Sequence, residues 1–423
     1  MRTSLGIAAA LAGFLLLLLW QQPPLSAADP RPQAPDQFAA VPERYEGLYR
    51  LLSTQLDDFE RRYPSSPTAA EAPLWGAELL QANANRGEAL LQPNAMPGVR
   101  LFLDRFQGLG FRAVSVSVNC PLLAPSFPRA AEYAAFYRNV AREVRRRGMK
   151  LEVESGVLFA NTAFSPVTLD RRASSFTDFV AARKEHVAAV VRELAPDWLN
   201  LGAEPDTEAR LTGFAALNDP EQRAAMTRTI LEGLDRGSTS IAAGIGTWND
   251  LRFLTVLLPR VKLDAVAIHL YPIGRQQIDA LGEACRIAKK AGKPILLDET
   301  WLYKIGPGEP EGMATSERVI KRDCWSFWTP LDRRFLKAVD AFARIEGVAY
   351  VSPFWTHLYF ATVPFDADLD ARPYAAVNAR HLRAVQAAVL SGRLSPLGET
   401  VKALLARTQG GNPGTKVTGG VGL

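Results

Sequence analysis

Residues 198–206 read WLNLGAEPD, and residues 294–301 read PILLDETW. Each opens on a short apolar run, Trp198, Leu199 and Leu201 in one and Ile295, Leu296 and Leu297 in the other, and each runs out on a carboxylate, Glu204 or Glu299. Apolar runs of this length, bounded by polar residues, fit strands buried on both faces, as in a parallel sheet. Between them the chain reads as strand, helix, strand, helix, so both carboxylates are expected at C-terminal strand tips on one face of one sheet.

The alternation extends in both directions. Strand candidates are LWGAELLQA (74–82), FRAVSVSVN (111–119), KLEVESGVLF (150–159), WLNLGAEP (198–205), STSIAAGIGTW (238–248), AVAIHLYPI (265–273), PILLDETWLY (294–303) and VAYVSPFWTHLYF (348–360). Helical spacing of apolar residues fills the gaps, over 99–109, 130–147, 176–194, 219–236, 249–258, 276–291, 331–345 and 374–390. Gly110, Gly148, Gly237, Gly292 and Gly347 stand where helices should stop and the chain return to a strand. Strands separated by helices imply right-handed βαβ units, and eight of them close a (β/α)8 TIM barrel. An open doubly wound sheet is the rival, but the first strand is not followed by a Gly-rich phosphate turn. A further helix over 397–407 is expected on the barrel exterior.

The ends lie outside this pattern. Arg2 is followed by an unbroken apolar stretch, Gly6 to Trp20, and then by the small residues Ser26, Ala27 and Ala28. That order predicts a secretory signal peptide over 1–28 and a periplasmic or secreted protein; as an uncleaved anchor the stretch would be short for a full span. No later segment reaches transmembrane length, so no membrane contact is expected after cleavage. Residues 29–72 read as a Pro/Ala-rich linker and an extra N-terminal helix over 43–62, residues 73–408 as the barrel domain, and 409–423 as a disordered Gly-rich tail.

Composition excludes several functions. The chain has 423 residues, 48% hydrophobic and 22% charged, with a net charge of +5, which is ordinary globular material. Arg142, Arg145, Arg146 and Arg147 cluster on one helix and read as a solvated face, so no nucleic acid is expected. The four histidines show no HxH or HExxH spacing and no GxSxG is present, so neither a metal, a cofactor nor a serine nucleophile is expected. Three cysteines in an exported chain do not make a disulfide framework; one bridge between Cys120 and Cys324 is an option, with at least one thiol left free and buried.

In a barrel the reacting groups stand at the C-terminal strand ends. Those ends supply Glu204, Glu299, His269 and Tyr271 on one face of strand six, Trp355 and His357 on strand eight, Trp248 and Asn249 on strand five, Asn119 on strand two, and Gln81 or Asn83 on strand one. Trp301 follows Glu299, and Trp325 and Trp328 lie in the long seventh loop. Flat rings at such positions either stack on sugars or fill the core. Asp298, next to Glu299, should face the other way, into the helix layer. Two carboxylates across one pocket are what glycosidic cleavage requires.

Here the chain resembles the clan A, or 4/7, retaining glycoside hydrolases, over about residues 73–390. Glu204-Pro205 matches half of that superfamily's Asn-Glu-Pro, His269-Leu270-Tyr271 its aromatic strand six, and Trp355 its strand-eight tryptophan. The resemblance implies Glu204 as acid/base, Glu299 as nucleophile, a tyrosine at 271 that hydrogen-bonds the nucleophile, and Trp355 as the floor of the sugar site; taken with the strand-end positions, the sugar is expected to be bound by His269, Tyr271, Trp355, Trp248, Asn119 and Trp301. It implies a monomer that cleaves a β-linked oligo- or polysaccharide by double displacement. For that chemistry Glu204 must start protonated and Glu299 ionised.

Ala203 departs from the family, which has asparagine there to contact the sugar 2-hydroxyl. Three readings follow: a substrate with an unusual 2-position, such as an axial hydroxyl; another side chain in the asparagine's role; or a carbohydrate-binding pseudoenzyme that has lost turnover. An unrelated barrel enzyme using Glu299 as a base on a small metabolite is a weaker alternative.

Overall fold

The computed structural model describes residues 40–65, 72–170, 175–271, 273–309 and 317–409. The signal peptide, the start of the linker and the Gly-rich tail lie outside them. Eight parallel strands form a closed barrel in sequence order: β1 (Leu74–Glu78), β2 (Ala113–Ser117), β3 (Lys150–Glu154), β4 (Trp198–Asn200), β5 (Ser240–Gly246), β6 (Ala265–Leu270), β7 (Ile295–Thr300) and β8 (Tyr350–Pro353). Among the described residues no helix is long and apolar enough to cross a membrane.

Alternation sorts the strand residues into two populations. Val114, Val116, Leu151, Val153, Ile241, Ile245, Val266, Ile268 and Leu297 face outward into one continuous core with the helices. The inward set is smaller and more polar: Ala113, Ser115, Ser117, Glu152, Ala242, Ala265, Ala267, His269 and Leu296. Small residues leave room inside for two large rings, Trp198 and Tyr350, stacked with centroids 5.5 Å apart.

The helices following the strands are α2 (Ala95–Leu109), α3 (Ala130–Arg146), α4 (Phe176–Leu194), α5 and α6 (Pro205–Thr212 and Pro220–Leu231), α7 (Arg252–Arg260), α8 (Arg275–Lys290), α9 and α10 (Glu317–Ile320 and Thr329–Glu346), and α11 to α13 (Ala367–Asp370, Tyr374–Ser391 and Pro396–Gln409). Before the barrel, α1 (Glu43–Arg62) packs on α10 and α8. Tyr45 of α1 donates a hydrogen bond to Asp370, and Arg334 of α10 pairs with Glu60.

The eighth position of the helical ring is not filled by the helix over 374–390. It is α13 that packs between α10 and α2 and over the 3-10 turn 356–359 after β8. Gly398 permits this: a Cβ there would fall 2.0 Å from the Tyr359 carbonyl oxygen. The apolar period of α12 is real, but α12 lies outside the ring, against α9, α11 and the turn 321–324.

Candidate active site

Strand β4 is three residues long, and the chain turns at its end to bring Glu204 back over the barrel. Gly202 makes the turn with φ of 109°, and a Cβ there would lie 2.3 Å from Glu208 and 2.6 Å from Arg223. Only glycine suits both demands. Glu204 then precedes the first turn of α5, with Pro205 at the first helical position. Behind this corner lies a buried charge cluster. Arg183 Nη2 donates to the carbonyls of Ser155 and Leu201, each at 2.6 Å, and to Glu208 Oε1 at 3.2 Å; Arg223 donates to the other Glu208 oxygen. The cluster ties the ends of β3 and β4 to α5 and fixes where Glu204 emerges.

Strand β7 delivers two carboxylates rather than one. Ala267 of β6 pairs with Leu296, but His269, two residues on, pairs with Glu299, three residues on. The extra residue is a β-bulge. Leu296 faces inward, so alternation turns Asp298 inward as well, not into the helix layer: Asn200 Nδ2 donates to it at 2.7 Å and His269 Nε2 lies 3.6 Å away, and the bulge brings Glu299, which alternation would send outward, level with the inward His269. Glu299, one residue on, reaches the same cavity.

His269 is the hub. Its Nδ1 lies 3.0 Å from Glu204 Oε1 and 3.7 Å from Glu299 Oε2, and its Nε2 lies 3.9 Å from Glu154. A shared imidazole holds the two glutamate oxygens within roughly 7 Å of each other, near enough to bracket one glycosidic bond. The expected pair therefore meets across one cavity, which Glu204, Glu299, Tyr271, Trp301, Trp355, Asn119 and Ala203 all line.

The second layer differs from expectation. The Tyr271 hydroxyl donates to Glu204, not to Glu299. Tyr271 is sandwiched between Trp301, stacked at 3.8 Å, and Trp248 at 4.8 Å. His269 is fully buried behind the carboxylates, and Trp248, whose indole N–H donates to Asp206, backs Tyr271. These two position the site rather than form the cavity wall. Asn119 is buried, its side-chain oxygen accepting the Gly156 N–H at 3.1 Å. Trp355 is half-buried beside Trp301. Trp325 and Trp328 are fully buried, Trp328 against Tyr45 and Phe327, and belong to the core. Gln81 and Asn83 both reach the cavity. All three cysteines are buried thiols, and the bridge between Cys120 and Cys324 is not formed.

Three acidic groups went unnoticed in the sequence: Glu78 on β1 and Glu152 and Glu154 on β3. The signal for the last two was present, since alternation in Glu152-Val153-Glu154 turns both inward once Val153 is placed in the helix layer. Glu78 accepts from Ser117 Oγ at 2.9 Å, and burial with the neighbouring Glu154 pushes it up to about 8. Burial raises Glu154 to about 7 against the pull of His269. Donor atoms of Glu154, His269 and Glu299 lie within 4.8 Å of one another, so these three could hold a metal ion.

The protonation polarity of the free site is the reverse of what acid catalysis needs. Burial pushes Glu204 upward, but the hydrogen bonds from His269 and Tyr271 outweigh it and hold Glu204 below the ordinary carboxylate range. Burial, reinforced by Glu154 and Glu204, raises Glu299 well above that range despite His269. Burial opposes charge on His269 too, yet the surrounding carboxylates, Glu299 foremost, raise it well above the usual imidazole value. In the free site protons are thus drawn toward His269 and Glu299 and away from Glu204.

The chain matches no protein-family model and no curated protein. In fold it is similar to a GH5_18 protein from Bifidobacterium longum subsp. longum, 17% identical over 82% of this chain and 81% of that one, with a TM-score of 0.52. A variant of that protein in complex with Manb1-4GlcNAc matches at 17% identity, 81% and 80% coverage and a TM-score of 0.50. A GH5_18 variant from Streptomyces cattleya, in complex with the same disaccharide, matches at 15% identity, 81% and 82% coverage and a TM-score of 0.50. At such identities the likeness is one of fold.

Proposed function

We propose that this chain is a retaining glycoside hydrolase that cleaves a β-linked glycan by double displacement. The observation that carries the reading is the pair Glu204 and Glu299, from strands four and seven, in contact with one imidazole at the floor of a tryptophan-lined cavity. Glu299 attacks the anomeric carbon as the bond to the leaving oxygen breaks, and that oxygen takes the proton of Glu204. Glu204 then takes a proton from water, the water oxygen attacks the anomeric carbon, and Glu299 leaves as a carboxylate.

The first step needs a proton on Glu204 and none on Glu299. His269 Nδ1 lies 3.0 Å from Glu204 and 3.7 Å from Glu299, so this imidazole is the group placed to pass a proton to Glu204 when substrate binds. Tyr271 stabilises Glu204 as the anion it becomes once the leaving group is protonated.

A β-mannoside is the first substrate to test. The fold neighbours bind Manb1-4GlcNAc, and a mannoside carries the axial 2-hydroxyl that Ala203, which has no polar side-chain atom, would not have to grip. We place the protein outside the cytoplasm on the strength of its leader, and expect it to act as a monomer; N-terminal sequencing of the exported protein checks the first point and its sedimentation the second.

The decisive experiment is labelling with an activated 2-deoxy-2-fluoro-β-mannoside and peptide mass spectrometry. An adduct on Glu299 supports the mechanism as written. An adduct on Glu204 exchanges the two roles, which the polarity of the free site would favour. Binding without any adduct points to a carbohydrate-binding pseudoenzyme, and neither binding nor adduct across gluco, galacto and manno probes refutes the reading.

A further inference from the structure

The cavity that holds the catalytic pair does not end there. At about 320 Å³ it continues away from Trp355 and His357 between α2 and α12, where Leu101, Phe102, Ala89, Leu382, Val385 and Val389 line it. The cavity-facing positions of α12 run from Tyr374 to Leu390, which at ~1.5 Å rise per residue is a channel wall of about 24 Å. Because α13 closes the helical ring, α12 is free to lie over this space as a cover. It is tied down at the far end, where Arg105 of α2 donates to the carbonyls of Val389 at 2.8 Å and Leu390 at 3.2 Å. Leu390 is 59% exposed there, one of two exposed large hydrophobic residues among those described.

A channel for further sugar units would need hydrogen-bonding groups along its length. Between α2 and α12 this one has Arg86, Tyr374, Asn378 and Gln386, with Tyr374 and Arg86 toward the sugar end and aliphatic side chains beyond them. At its junction with the site, burial and the neighbouring His381 keep His357 uncharged. Arg86 contacts the Gln81 carbonyl only at 3.4 Å, and its buried Nε has no partner, which leaves a donor for an oxygen of the bound group.

We propose that the channel takes a linear hydrocarbon, so that the substrate is a glycolipid whose sugar sits at Glu204 and Glu299 and whose alkyl chain lies under α12. The assignment rests on the glycosidase reading for the sugar end, but its test does not need turnover. Hexyl, octyl, decyl and dodecyl 1-thio-β-mannosides, which resist cleavage, are titrated calorimetrically into the full-length protein below micelle formation, with the thioglycoside of mannobiose as the sugar control. Each added methylene should tighten Kd about threefold, since burying one is worth roughly a factor of four at most. Leu382→Gln and Leu101→Gln, at half-buried positions that tolerate a polar group, should flatten that dependence; circular dichroism confirms that both fold. A Kd independent of chain length, an undiminished slope in both variants, or tighter binding of mannobiose than of the dodecyl compound would overturn the proposal. If labelling shows no adduct while the slope persists, it is the catalytic reading that fails and the lipid site that stands.

Discussion

Replacing Glu208 by glutamine keeps the shape of the side chain and removes its charge, which isolates what the buried cluster behind Glu204 contributes. Arg183 is fully buried, Glu208 is 3% and Arg223 5% exposed, and both guanidinium groups end on the one carboxylate. Deleting the anion leaves two buried cations facing each other, and loss of one partner from a buried pair costs ~3–5 kcal/mol. Unfolding entropy scales at ~2 cal/mol/K per residue, so for a barrel of this length the cost lowers Tm by about 5 °C. The pH dependence separates charge from packing. Burial alone would raise Glu208, but Arg183 and Arg223 outweigh it and hold its folded value below the ordinary range. A depressed carboxylate stabilises the fold above its unfolded value, about 4.3, and that contribution is lost as pH falls through the folded value. Calorimetric Tm should therefore differ most between the two proteins from pH 6 to 8 and converge below pH 4. A gap that stays constant with pH would mean packing, not charge, and a gap under 1 °C at pH 7 would remove the cluster from the account. In the same variant kcat should fall more than KM rises, because Glu204 loses its anchorage while Trp301, Trp355 and Asn119 stay in place.

Three other outcomes are expected. Glu204→Ala should slow natural glycosides by ~10²–10⁴-fold and dinitrophenyl glycosides far less, since the latter leave without a proton; equal losses on both would reject Glu204 as the acid. Tyr271→Phe removes a charge-assisted hydrogen bond worth ~1.5–3 kcal/mol, so Glu204, the lower-titrating carboxyl of the pair in the free enzyme, returns toward the ordinary carboxylate range and the acid limb of kcat/KM moves to higher pH; an unmoved limb means that the phenol does not act on Glu204 in the working enzyme. Glu152 is fully buried with neither carboxylate oxygen hydrogen-bonded, and burial, with Asp298 and Glu154, raises it well above its ordinary value. A raised carboxylate erodes stability as pH rises from its unfolded value toward its folded one, so the Tm of Glu152→Gln should gain on wild type as pH rises above about 4.3; a flat difference would show that Glu152 pairs in the folded state.

Much of the barrel is legible without coordinates because it follows from local rules. Apolar runs between helical periods, and glycines at helix ends, locate all eight strands, and the rule that barrel chemistry sits at C-terminal tips picks out Glu204 and Glu299. What local rules miss depends on register and on packing between distant segments. The bulge that lets Glu299 face inward beside Asp298 exists only in the pairing of β7 with β6, and nothing in PILLDETW announces it. The exchange of places between the last two helices is equally silent, because both carry an apolar period and only the fit of Gly398 against Tyr359 decides which closes the ring.

Sequence alone determined the class of fold, the two acids and the aromatic character of the site, since these depend on residue type and period. Tertiary structure decided how they are wired: Tyr271 on Glu204 rather than Glu299, His269 between both, and three further carboxylates converging from β1 and β3. The reason is electrostatic. The charge state of each group depends on its burial and on neighbours far away in the chain, and those distances come into being only when the barrel closes.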